Sequence, residues 1–135
     1  MAGTVTVTSY PVTTASTEKV LTCYRIDWLA DAANGSVPAT VIPGIAGYVR
    51  QWATKTATGA GAVAPTNNYT ITLTDSYGSG ADLLNGLFTA NRSSTLTQQN
   101  YLYPGPLLLG AITFNLSVNI VNSASGSVWL YIDEE

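Results

Sequence analysis

The chain has 135 residues, five Lys and Arg against eight Asp and Glu, no histidine and one cysteine. This length fits a single domain, and five scattered cations with a net charge of −3 give no basic cluster for phosphates, which speaks against nucleic acid. No apolar run approaches the roughly 18–20 residues of a membrane span, and no charged then apolar leader opens the chain, so neither a membrane nor a secretory route is expected.

Charged residues make up only 10% of the chain, while Thr occurs nineteen times and Tyr outnumbers Phe eight to two. Thr and aromatic side chains pack well on a pleated surface, so the composition is that of a β protein. Residues 4–8 read Thr-Val-Thr-Val-Thr, the alternation of a half-buried strand, followed by a loop from Pro11 to Thr17. Residues 20–29 form the next strand, with Val20, Thr22, Tyr24, Ile26 and Trp28 on one face. Its other face carries Leu21, Cys23, Arg25, Asp27 and Leu29, which suggests a central strand covered on both sides, with Cys23 as a buried thiol. Asn34-Gly35 marks a turn. A short extended piece at 39–42 ends at Pro43-Gly44, and a separate strand at 47–56 places Tyr48, Arg50, Trp52 and Thr54 on one face.

After a Gly-, Ala- and Asn-rich loop at 58–68, residues 69–74 alternate again, with Tyr69, Ile71 and Leu73 inward. Leu83, Leu84, Leu87 and Phe88 allow at most one short helix near 82–90, opposed by Gly86. Residues 94–97 suggest a short strand, and Tyr103-Pro104-Gly105-Pro106 a rigid turn. Residues 112–120 alternate most regularly, with Ile112, Phe114, Leu116, Val118 and Ile120 on one side. Residues 127–133 set Val128, Leu130 and Ile132 against Trp129 and Tyr131, and the short polar link between these two strands predicts an antiparallel hairpin. The expected fold is all-β: one antiparallel sandwich domain, 1–135, of about seven or eight strands, jelly-roll or Greek-key. Residues 1–17 are expected to be able to extend as an N-terminal arm.

Little here predicts chemistry. Without histidine there is no Ser-His or Cys-His pair and no common transition-metal ligand, so no catalytic, metal or cofactor residue is expected. Asp27 beside Arg25 reads as a structural ion pair. Asp75 and Asp82 bracket a polar loop that matches no EF-hand spacing, and Asp133, Glu134 and Glu135 read as a solvated acidic tail. Gly59-Ala60-Gly61 and Gly78-Ser79-Gly80 lack the context of a phosphate loop. Asn-x-Ser/Thr triplets at Asn34, Asn68, Asn91 and Asn115 are ordinary in a chain this rich in Asn, Ser and Thr.

Three Trp and eight Tyr exceed the needs of a small core, and such residues are enriched at interfaces and sugar platforms. The expected interface residues are Thr4, Val5, Thr6, Val7, Thr8 and Tyr10, whose segment carries no Lys or Pro before Pro11, together with Tyr101 and Tyr103.

The stretch Ala64-Pro65-Thr66-Asn67-Asn68-Tyr69-Thr70-Ile71-Thr72-Leu73-Thr74-Asp75, with Leu84-Asn85-Gly86-Leu87, Asn91-Arg92-Ser93-Ser94 and Ser125-Gly126-Ser127-Val128-Trp129-Leu130-Tyr131, resembles small virion structural proteins of tailed bacteriophages. Some small β-sandwich proteins of that setting are capsid cement or decoration proteins. The resemblance implies a non-enzymatic partner of the major capsid protein on the outer capsid surface, assembled in the host cytoplasm as a homo-oligomer (dimer or trimer). Other readings are a head-tail connector or tail component, and, in another class, a carbohydrate-binding module.

Overall fold

The computed structural model describes residues 3–13, 20–57, 62–75, 82–84, 87–89, 91–101 and 107–133. Seven strands run through them: β1 Thr4–Thr13, β2 Val20–Leu29, β3 Thr40–Thr56, β4 Thr70–Asp75, β5 Gln98–Tyr101, β6 Leu107–Ser117 and β7 Ser125–Asp133. All strand pairs are antiparallel, in the order β1-β2-β7-β3-β6-β4, with β5 beside β3. The chain is all-β, and the described residues contain no helix.

β3 joins two halves of this sheet. Its residues 40–48 pair with β6, whereas residues 48–56 pair with β7 on one side and, at Gln51–Thr54, with β5 on the other. The predicted break at Pro43-Gly44 is therefore absent, and one seventeen-residue strand replaces two. A register shift falls between Pro43 and Ile45 and another between Val49 and Gln51. Each bulge adds one residue and resets the two-residue alternation. The inward side chains are consequently Ile42, Ile45, Val49, Trp52 and Thr54, so the single face expected to hold Tyr48, Arg50, Trp52 and Thr54 is split between the two sides. Tyr48 is exposed, and Arg50 reaches across to Asp133, Nη2 to Oδ2 2.9 Å. Asp133, read as part of a solvated tail, is only 3% exposed. Gly47 permits the close crossing with β7: its φ is +128°, and a Cβ there would collide with the Asp133 carbonyl.

The sheet curls. β2 and β4 lie four strand spacings apart, roughly 19 Å if flat. Yet the ring of Trp28 in β2 stands 5.7 Å from that of Tyr69, which directly precedes β4. Ile26, Trp28, Ile42, Ile45, Val49, Trp52, Ile71, Leu73, Ile112, Phe114, Val128, Leu130 and Ile132 fill the interior. Trp28 lies over Gly126 of β7, where an added Cβ would stand 2.6 Å from the indole Cζ2.

A cation crosses this interior. Arg92 is 3% exposed and its guanidinium lies 4.0 Å from the Phe88 ring centroid. Its Nη1 donates to Thr54 Oγ1 of β3 (3.2 Å) and its Nε to Asn91 Oδ1 (2.9 Å). The backbone of Arg92 is bonded to Asn68 and Tyr69, so this side chain ties the β4 side of the sheet to β3. Trp28 Nε1, Trp52 Nε1 and Tyr69 Oη are buried without a hydrogen-bond partner among the described residues. Burial pushes the Tyr69 hydroxyl up to about 12, with the Arg92 charge opposing the shift.

Five more expectations are corrected. The described residues near 82–90, which are 82–84 and 87–89, do not wind into helix: Leu83 N donates to Leu73 O (2.7 Å) and Ile71 N to Phe88 O (3.1 Å). Asp82 Oδ1 also accepts from Leu73 N and Leu84 N, so the segment is sewn along β4 while Leu84 and Phe88 still enter the core. The strand expected at 94–97 begins instead at Gln98. β6 and β7 form no hairpin; β6 pairs with β3 and β4, β7 with β2 and β3. β6 ends at Ser117, before Val118 takes a φ of +68°, which leaves Val118 and Ile120 exposed. Both faces of β2 are not equally covered: Ile26 and Trp28 are buried, whereas Leu29 on the opposite face is exposed.

Tyr69→Phe removes a buried hydroxyl with no partner, so its melting temperature at pH 7 should equal or exceed that of the wild type. A folded value of about 12 against an ordinary 10 means the unfolded chain loses its proton first, so wild-type stability falls as pH rises from 10 to 12. This loss is of order 2–3 kcal/mol and should be missing from Tyr69→Phe in urea titrations across that window. Gly126→Ala should cost about 1–3 kcal/mol in the same assay, because its methyl group must displace the Trp28 indole.

Candidate functional site

The side of β1, β2, β7 and the C-terminal half of β3 that faces away from the core forms an ordered surface, and its rows follow from the register. Tyr10 stands opposite Cys23, Cys23 opposite Tyr131, and Tyr131 opposite Gln51. The next row holds Thr8, Arg25, Trp129 and Ala53, and the one after it Thr6, Asp27, Ser127 and Lys55. Alternation placed the apolar partners of these residues in the core, so the aromatic and charged side chains were left to this face.

Arg25 is the centre of the surface. Its Nε donates to Asp27 Oδ1 at 2.8 Å, confirming the ion pair expected from the sequence, and its guanidinium carbon lies 5.5 Å from the Trp129 ring centroid. Asp27 Oδ1 also accepts from Ser127 Oγ on the neighbouring strand. The Asp27 hydrogen bond raises the Arg25 pKa first of all, and the Tyr10 hydroxyl adds to the shift. Arg25 is thus a fixed cation laid against an indole, with about a third of its side chain open to solvent. Burial raises the Cys23 thiol, opposed by a hydrogen bond with Tyr131, so the thiol is held protonated beneath this face.

Of the residues expected at an interface, Thr4, Thr6, Thr8 and Tyr10 line the outer face of β1 and are exposed. Val5 packs against the core from the opposite face, and Val7 on that side is 37% exposed. Tyr101 ends β5 opposite Gln51, which puts it in the same register row as Tyr10, four strands away. Tyr103 lies outside the described residues. Arg25, Trp129 and Tyr131 are the additions to the expected set. An aromatic pair on the polar-facing positions of β7 was the signal in the sequence.

A second feature lies at the Thr4 end of this half-sheet, where Ala30 N donates to Ala124 O and Ser123 N to Asp31 O. Asn119 there accepts through Oδ1 from Thr66 N (3.0 Å) and Val121 N (3.2 Å), and donates through Nδ2 to Gly35 O (2.8 Å) and Val121 O (3.1 Å). All the hydrogen-bonding capacity of that amide is spent on clamping three loops. The clamp presents Ile120 at 80% exposure, although the alternation of 112–120 puts it on one side with Ile112, Phe114 and Leu116, which are buried.

No three His, Cys, Asp or Glu side chains among the described residues are grouped to hold a metal. Asp82 caps a turn, as does Asp31, whose Oδ1 accepts from Ala33 N and Asn34 N. Asp75 shares no such group with Asp82, and residues 76–81 between them lie outside the described set. No family model, curated protein or solved structure matches the chain.

Asn119→Ala should lower stability by about 2 kcal/mol in urea unfolding, since it strips partners from part-buried backbone groups. Ile120→Ser should stay within about 0.5 kcal/mol of the wild type, because that side chain touches solvent rather than core.

Proposed function

We propose that this protein is a non-enzymatic structural component of a tailed-phage virion, a cement or decoration protein that bridges neighbouring major capsid subunits on the outer shell. The observation that carries this reading is the outer sheet face itself. Tyr10, Arg25, Trp129 and Tyr131 stand together on it in fixed geometry, while Asp27 and Asp133 of the same strands are engaged in ion pairs with Arg25 and Arg50. Aromatic residues and Arg are the types that anchor protein interfaces, and hydrogen-bonded sheets hold them at little entropic cost. The resemblance of 64–75 and 125–131 to virion proteins supports the same setting, with a head-tail connector or tail position as its variant. The curled sheet, with β2 and the start of β4 in contact across the core, supports a two-layer sandwich of the jelly-roll or Greek-key kind. The chain would assemble in the host cytoplasm and act on the capsid exterior, with neither nucleic acid nor membrane as partner.

A carbohydrate-binding role is the second reading, favoured by the indole of Trp129 lying on a polar, nearly neutral face. Co-sedimentation with empty capsids of the protein's own phage separates the two. The wild type should pellet with the shells, and Tyr10→Ala combined with Trp129→Ala should weaken this at least about tenfold, the loss of two interface anchors. Protein left in the supernatant, with indole fluorescence quenched by a soluble oligosaccharide, would overturn the capsid reading in favour of the sugar one.

A further inference from the structure

β1 ends the sheet. Among the described residues it is bonded to β2 alone, through ten consecutive pairs without a bulge, so from Thr4 to Tyr10 its far edge offers a row of backbone donors and acceptors that no proline interrupts. Natural sheets blunt such edges with Lys, inward charges, bulges, prolines or short strands. β1 has ten residues, no charged side chain, and no proline before Pro11.

The sequence of this edge reads the same in both directions: Thr4-Val5-Thr6-Val7-Thr8. We infer that its partner is the β1 edge of a second copy, paired antiparallel about a two-fold axis at Thr6. In that register Thr6 faces Thr6, Val5 faces Val7 and Thr4 faces Thr8, so every residue meets its own type. Threonine pairs and β-branched pairs are favourable cross-strand neighbours, and an isologous contact of this kind closes at two subunits. One side chain gains directly. Val7, on the core side at the rim of the sheet, is 37% exposed, and Val5 of the second copy would cover it. The exposed threonines of both copies would then form one outer face, so Arg25 and Trp129 appear twice, related by the axis.

This inference specifies the oligomer behind the bridging role, because a two-fold dimer carries two identical docking faces. Its test needs no capsid, so it stands or falls separately from that role. Thr6→Cys places two thiols directly opposite each other, where strand partners have Cα atoms about 4.5–5.5 Å apart, inside the range of a disulfide. Mild oxidation should convert Thr6→Cys to a disulfide-linked dimer, while Lys55→Cys, exposed on β3, should remain monomeric. In sedimentation equilibrium the wild type should approach twice the monomer mass as concentration rises. Thr6→Lys and Thr6→Glu should each stay monomeric with unchanged circular dichroism, and an equimolar mixture of the two should restore the doubled mass. A wild type that stays monomeric, crosslinking no better at Thr6→Cys than at Lys55→Cys, would overturn the inference.

Discussion

β3 is bonded to β6 along one half of its length and to β7 along the other, and a single core exists only because its alternation is reset twice. Without the bulges, a strand this long would turn its inward side chains outward partway along, since an odd shift exchanges the two faces. The first shift keeps Ile42 and Ile45 on one side; the second keeps Val49 and Trp52 there. The same second shift releases Arg50 outward to Asp133 at the end of β7, locking the crossing of the two strands. Gly47 lies between the shifts, where a side chain would push β7 away.

The outer face inherits its order from that core. With Val128, Leu130 and Ile132 directed inward, Trp129 and Tyr131 have nowhere to go but the other side of β7. Arg25 and Asp27 follow from Ile26 and Trp28 in the same way on β2. The contrast between the two arginines is instructive. Arg92 is enclosed, stacked on Phe88 and bonded to Thr54, so it serves cohesion; Arg25 is open, backed by Asp27 and Trp129, so it is available to a partner.

Strands with uninterrupted alternation were legible in the sequence: Tyr69, Ile71 and Leu73, or Val128, Leu130 and Ile132, all face inward as their spacing predicts. What failed was every inference that required knowing where alternation stops. A bulge leaves no mark distinguishable from any other Gly or Arg, so β3 read as two strands, with Tyr48 and Arg50 on the same face as Trp52 and Thr54. Val118 and Ile120 continue the spacing of Phe114 and Leu116, yet the backbone turns away at a positive φ that alternation does not encode. The false hairpin has a different origin. Two adjacent strands with a polar link usually pair, but here Asn119 spends its amide on holding a crossing between two parts of the sheet. For the candidate site, β1 was legible as a strand and its expected role rests on its missing guards, while Arg25 and Trp129 meet only through the pairing of β2 with β7, residues about a hundred positions apart.

That last pairing also bears on how the chain acquires its structure. β7 follows the other six strands in sequence, yet it lies inside the sheet between β2 and β3. During synthesis β2 and β3 therefore emerge without the neighbour that separates them, and the half-sheet bearing the outer face cannot close until Ser125–Asp133 has been made. Contacts so distant along the chain close slowly, and the waiting strands keep two unpaired edges in the meantime. The nascent chain, more than the finished protein, is where crowding by other copies is dangerous. A low synthesis temperature or a bound chaperone would act on that interval and leave the native contacts as they are.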